Sequence, residues 1–471
     1  MAEVVRRRVP VSGQRSVTAP ATCAQRHMWR LIQRALPDPA FYNQVYRVGL
    51  PPGARADDVL AVLAELVGRY ESLRTAFRTA GCGTLVQQVV RDGSFEAELW
   101  SAAPGEDPQV LADAWQRRMR GSGFDPGTAP LLRAMVVLAG GVPVLAALCV
   151  SHIAADLMSL RVLAGELTRL LAARAAGRPS PPPPASRQPV EQALYEASAE
   201  GRQVLERSHR YWRRQLERAP VTMFPHRAAG CGPRRFSSAA MDSRAVAMVL
   251  PSLADRCRAT TSAVLLGAVS LLLGHRAGLP TCAVRLLVAN RFAAGLRGAV
   301  ANLHQEILTT VDLRGPTVTD VVRGALAASM TAYGNGLYDP DRVEELIHRA
   351  GRERGTRLSL SCCFNDVREG RDAPGPAGPV DAAAVRAAMA ATTVVPDAFE
   401  EAEDFFLVVD DEVPGRLRMV LCADTAVLPP EEVQAFLLGV ERLLVEFAVR
   451  ELRPEEAGPV SGLTSTVHRP R

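Results

Sequence analysis

The run Val142-Pro-Val-Leu-Ala-Ala-Leu-Cys-Val-Ser151-His152-Ile-Ala-Ala-Asp156-Leu157 changes its period in the middle. Val142 to Val150 is a short continuous apolar stretch, which reads as a buried strand. From Leu157 onward, apolar residues at 160, 163, 167, 170 and 171 mark a helix. Ser151 to Asp156 therefore sit on a strand-to-helix connection, where side chains can be held rigidly beside a cleft.

The same alternation extends in both directions. Upstream, Asp57 to Tyr70 carries apolar residues at 59, 60, 63, 66, 67 and 70 behind an Asp-Asp start, which is helical spacing. Downstream, helices are predicted at 202–217, 261–275, 318–332 and 431–449, separated by strand-like runs at 281–290, 357–364, 405–410 and 416–422. Both halves mix strands and helices, so the fold class is mixed α/β, and two related lobes are compatible with it. One segment interrupts the pattern by composition. In Gly177-Arg-Pro-Ser-Pro-Pro-Pro-Pro-Ala-Ser186, four consecutive prolines exclude helix and central strand. The division expected from this is an arm at 1–16, a first lobe at 17–176, a tether at 177–190 and a second lobe at 191–471. A Gly-, Pro- and Asp-rich loop from Arg368 to Val380 lies inside the second lobe.

Bulk properties narrow the function classes. The chain has 471 residues, 48% hydrophobic and 22% charged, enough to bury a large core and more than one domain usually needs. A net charge of +5 with scattered Lys and Arg argues against nucleic acid as a partner. The cluster Arg6-Arg7-Arg8 leads into Val-Pro-Val-Ser-Gly, not into the apolar stretch of a secretory signal, and residues 1–16 read as a flexible arm. Even the greasy stretch from Val264 to Leu273 falls short of the roughly 18 residues of a membrane helix. A cytoplasmic monomer without membrane contact is expected. The nine cysteines are dispersed, and the adjacent pair Cys362-Cys363 cannot copy a zinc knuckle, so they read as core thiols and no metal is expected.

Of eight histidines, His152 alone combines a strand end, a helix start and an acidic residue four positions later. A histidine can take a proton from a nucleophile near neutral pH, and a fixed carboxylate can hold its surroundings. No third ligand lies close in sequence for a metal. Trp29, Tyr211 and Trp212 read as core packing. Arg213-Arg214 and Arg234-Arg235 read as solvated surface, with an acidic partner protein as the alternative contact.

Several separated stretches resemble, in order, the motifs of the condensation domains of non-ribosomal peptide synthesis. Gln25, Trp29, Leu36-Pro37 and Tyr42-Asn43 look like the first motif. Arg69-Tyr-Glu-Ser-Leu-Arg-Thr-Ala-Phe77 is similar to the second, and Val150-Ser151-His152-Ile-Ala-Ala-Asp156-Leu157 falls where the family has His-His-x-x-x-Asp-Gly. Tyr211-Trp212 with Leu216 and Pro220 resembles the later Tyr-Trp-x-x-x-Leu element. Asn290-Arg291 and Gly298-x-Val300-x-Asn302 resemble the fifth motif.

This resemblance implies two chloramphenicol-acetyltransferase-like lobes in a V-shaped pseudo-dimer with a central tunnel. It implies a free-standing acyltransferase that joins a donor to an amine or hydroxyl acceptor in antibiotic and other natural-product biosynthesis. The partners would be acyl- or peptidyl-carrier proteins in trans, whose phosphopantetheine arms carry the substrates, with no permanently bound cofactor. His152 would be the reaction-centre residue. Asp156 would be structural, paired with an arginine for which Arg291 is the first choice and Arg285, six residues earlier on the same face of a strand, the second. Ser151 stands where the family has its first histidine and Leu157 where it has glycine; with Asn302 they are the tunnel-lining candidates. Two other readings stay open: a coenzyme A-dependent acyltransferase of the same superfamily, and a non-catalytic module that recruits a carrier protein or tailoring enzyme.

Overall fold

The structure, a computed structural model, describes residues 3–36, 40–81, 83–228, 235–368 and 381–465. The chain forms two compact units. The first comprises Met1–Glu206 with Ala289–Gln305 and Leu337–Pro340; the second comprises Arg207–Val288, Glu306–Gly336 and Asp341–Arg471.

The first unit is built on a five-stranded sheet ordered Glu3–Ser12, Asp92–Ala102, Leu132–Ala139, Val142–Ser151, Asn43–Gly49. Val142–Ser151 is an inner strand, flanked by Leu132–Ala139 and Asn43–Gly49, and almost wholly buried, as its unbroken apolar run requires. Its register places Ser151 opposite Asn43 at one end of the sheet. The helices Ala56–Arg69 and Leu157–Ala175 pack on each other and bury Val59, Leu63, Leu66, Leu160, Leu163 and Leu167. A small sheet of Val17–Pro20, Leu85–Val89 and Thr75–Thr79 completes the unit. The motif Arg69 to Phe77 serves as scaffold here. Arg74 is buried and donates to the carbonyls of Arg15 and Val90, while Tyr70 and Phe77 lie in the core.

Two expectations are corrected in this unit. The stretch expected as a flexible arm at 1–16 is, from Glu3 to Ser12, a strand that pairs antiparallel with Asp92–Ala102 along its whole length. Only Val9 and Val11 are buried in it. Backbone ladder bonds rather than an alternating apolar face hold the strand, and the three consecutive arginines conceal it in the sequence. The Pro-rich segment is irregular, but it neither hangs free nor ends the unit, which continues to Glu206. Prolines lack donors but keep their carbonyls. Arg69 Nη2 donates to the Pro181 carbonyl at 2.8 Å, Arg169 Nη2 to that of Pro182 at 3.0 Å, and Arg187 N to that of Gly295 at 2.8 Å.

The second unit holds a seven-stranded sheet ordered Gln305–Asp312, Thr281–Val288, Cys362–Asp366, Phe405–Asp410, Leu417–Asp424, Phe236–Ser243, Thr393–Pro396. Helices Thr261–Ala277, Val318–Tyr333 and Pro430–Val449 lie where the apolar spacing put them. In the run expected at 357–364 the strand starts late, at Cys362. Tyr211 and Trp212 are core residues, and the Tyr211 hydroxyl donates to the Leu308 carbonyl at 2.9 Å. Arg213 is exposed beside Glu217, and Arg235 reaches Asp424 from the surface. The loop predicted at 368–380 lies, beyond Arg368, outside the described residues, as do Pro37 and Arg234. The seven described cysteines that are free thiols are all buried. No single helix among the described residues is long and apolar enough to cross a membrane.

Candidate active site

The strand Val142–Ser151 ends in a tight turn that delivers His152. The His152 amide donates to the Tyr42 carbonyl at 2.9 Å, and the amides of Ala154 and Ala155 return to the Ser151 carbonyl. The helix Leu157–Ala175 then begins, with Asp156 as its N-cap accepting from the Ser159 amide at 2.8 Å. The turn thus has hydrogen bonds on both sides, and a half-buried imidazole projects from it.

The ring is oriented by the same turn. His152 Nδ1 lies 3.1 Å from the Ala155 carbonyl, which can only accept, so the neutral ring carries its proton on Nδ1 and its lone pair on Nε2. Burial, and next the neighbouring His304, push the imidazole down to about 4; Asp156 pulls weakly the other way. The ring is therefore neutral at physiological pH, with its Nε2 lone pair free of a proton.

Asp156 binds four donors. Its Oδ1 accepts from the Ser159 amide at 2.8 Å, the Ser159 hydroxyl at 2.8 Å and Arg291 Nη2 at 2.6 Å, and its Oδ2 accepts from the Leu303 amide at 3.1 Å. Both partners of the ion pair are buried. Arg291 also donates to the carbonyls of Leu296 and Ala299 at 3.0 and 2.6 Å. It follows Asn290, whose left-handed φ of 52° is a conformation asparagine tolerates, and Asn290 Nδ2 holds the Leu303 carbonyl at 2.9 Å. Arg285, the second choice, is engaged elsewhere: it pairs with Glu306 and, at 2.6 Å, with Glu403. Glu306, Glu403 and Cys363 have the spacing of a metal site, but the Arg285 guanidinium already supplies the cation.

Of the other candidates, Ser151 is buried at the last strand position, and Leu157 is the half-buried first residue of the helix. Asn302 is buried; its Oδ1 accepts from the His304 amide at 3.1 Å, while its Nδ2 meets no protein acceptor among the described residues. Gln25 and Asn43 are scaffold. Gln25 closes a capping box with Thr22, and Asn43 Nδ2 ties down the Met119 and Ser122 carbonyls.

Two histidines of this site escaped sequence reasoning. His304 stacks on His152 with centroids 5.4 Å apart and planes 15° from parallel, and His27 meets His304 edge-on at 6.3 Å. The available signal was positional: His304 lies two residues beyond Gly298-x-Val300-x-Asn302, and His27 two beyond Gln25.

The condensation-domain family model matches residues 16–300, more than half of the chain. The chain belongs to the condensation-domain family. Similar proteins include the chondramide synthase of Chondromyces crocatus, 29% identical over 335 residues, and the isonitrile lipopeptide synthase of Mycobacterium tuberculosis, 28% identical over 341. Each match covers 69% of this chain but only 8% and 13% of those synthases. Solved condensation domains share the fold. The first condensation domain of the calcium-dependent antibiotic synthetase superposes with a TM-score of 0.67 at 19% identity, over 92% of this chain and 96% of that one. The starter condensation domain of rhizomide synthetase, solved with C8-CoA, gives 0.68 at 18% identity over 93% and 96%. The SgcC5 protein of Streptomyces globisporus, solved with a naphthyl ethanediol, gives 0.67 at 19% identity over 92% and 99%. Condensation domains of this chloramphenicol-acetyltransferase-like fold serve nonribosomal peptide synthesis. They catalyse amide-bond formation on substrates carried by the phosphopantetheine arms of carrier proteins.

Proposed function

We propose that the chain is a condensation enzyme that transfers an acyl or aminoacyl group from a carrier-protein thioester, supplied in trans, to an amine acceptor, with a hydroxyl as the alternative nucleophile. The observation that carries this reading is the fixed tautomer of His152, which presents the Nε2 lone pair of a neutral imidazole. The acceptor nitrogen bonds to the thioester carbonyl carbon as its proton passes to Nε2. On collapse of the tetrahedral species the C–S bond breaks, and the sulfur leaves as a thiol with that proton. Asp156 and Arg291 hold the turn and take no part in the proton transfer.

Intact-protein mass spectrometry with candidate loaded carriers, and acyl-coenzyme A alongside, tests the reading. A condensed product on the acceptor from loaded carrier is the expected result. Turnover with acyl-coenzyme A alone moves the chain to the coenzyme A-dependent class, for which the C8-CoA bound by its rhizomide-synthetase neighbour is the supporting observation. Carrier binding with no turnover from any donor assigns it to recruitment.

The two departures from the motif act on this site from below. Ser151 is only 4% exposed, so Ser151→His forces an imidazole into packed space at about 1–3 kcal/mol and crowds His152. Leu157→Gly loosens the first helical turn by about 1 kcal/mol. Both family-restoring changes are expected to lower the native rate and the thermal midpoint. Unchanged turnover in both would show that the departures do not tune the site.

A further inference from the structure

Two imidazoles, not one, occupy the turn region, and a single carboxylate sets their separation. Asp156 Oδ1 caps the helix that follows His152, while Oδ2 holds the Leu303 amide, one residue before His304. Ser159 doubles this tie: its Oγ accepts from the Ala301 amide at 3.0 Å, and its one hydroxyl proton is shared between Asp156 Oδ1 and the Ala301 carbonyl, 2.8 and 2.7 Å away. His304 is further fixed by its backbone amide, which donates to Asn302 Oδ1 at 3.1 Å. The flat stack at 5.4 Å follows from these anchors.

We propose that His304 is a positioning residue for His152. It covers one face of the ring, and it adds to burial in keeping that ring unprotonated in acidic conditions, because two stacked imidazoliums repel. This deepens the reading of His152 as the reaction-centre base and rests on it.

The groups around the pair set the sign. On its own turn His152 faces Asp156, whose charge favours protonation but is offset by the Arg291 guanidinium. From the 289–305 segment it faces His304. From helix Cys23–Arg34, His27 lies behind His304, with Arg26 paired to Asp339 at 3.2 Å, and the Tyr338 ring lies 6.1 Å from His27. His304 is thus the ionisable ring stacked on His152, and its charge is the one that opposes protonation there.

The test is a histidine-selective 15N NMR titration of the full chain, with the His152 resonance assigned by its loss in His152→Ala. In His304→Phe, which keeps a flat ring, and in His304→Gln, the His152 midpoint should rise by about one pH unit, a tenfold gain in proton affinity. In His304→Lys, where a fixed cation replaces the imidazole, it should not rise. In any active preparation the acid limb of kcat/KM should move with it. A midpoint within a few tenths of a unit of wild type in both neutral variants overturns the proposal. A shifted midpoint in a protein with no turnover supports it and sinks the condensation reading alone.

Discussion

Product formation by His152→Ala is expected to fall by about 10²–10⁴-fold, the usual worth of a positioned general base, with the fold intact. The turn does not depend on the ring: the His152 amide bond to Tyr42 and the Ala154 and Ala155 amide bonds to Ser151 belong to the backbone and survive the substitution. Single-turnover assays with loaded carrier, read by mass spectrometry beside a thermal melt, separate loss of chemistry from loss of structure. Activity within threefold of wild type would remove His152 from the reaction.

The same variant carries a stability signature. The His152 imidazole sits at about 4 in the folded chain against an ordinary 6.5, so between those values the unfolded chain binds more protons. Wild type therefore loses stability from this group as pH falls from about 6.5 towards 4. His152→Ala lacks the group, and its melting temperature should fall less over that window.

Asp156→Asn is expected to cost about 3–5 kcal/mol of stability as well as rate, because it leaves the buried Arg291 guanidinium without its counter-ion. The amide cannot replace the carboxylate. Whichever way it is turned, its NH₂ confronts either the Leu303 amide or the three donors on the opposite oxygen. Chemical denaturation of the Asp156→Asn, Arg291→Met and double variants should show a coupling of about 1–3 kcal/mol. The equivalent cycle with Arg285 should be additive, since that guanidinium is held by Glu306 and Glu403. Additivity between Asp156 and Arg291 would mean that the pair does not act as a unit.

The parts of this site that the sequence discloses are those written in local periodicity or in a motif. The switch from the Val142–Val150 run to 3.6-residue spacing after Leu157 locates the turn to within a residue, because a short, largely buried strand and a core-facing helix leave different patterns where they meet. Arg291 was legible through its Asn290 neighbour and the Gly298-x-Val300-x-Asn302 stretch. His304 was not: its partner is 152 residues away in number, and the anchors that stack the rings are backbone amides, which every residue type possesses. Glu3–Ser12 escaped for a related reason, since a strand held by its ladder on an exposed face has no apolar alternation to read. The docked course of the Pro-rich segment depends on Arg69 and Arg169 donating to proline carbonyls, a use of proline that composition conceals.

The docking of that segment bears on recombination between relatives. Its proline run invites a crossover there, as though it separated exchangeable modules. Such a chimaera would draw Asp156 from one parent and Arg291, Leu303 and His304 from the other. A graft that respects the molecule carries Ala289–Gln305 and Leu337–Pro340 together with everything up to Glu206, so the inheritable block is discontinuous in the gene although continuous in space.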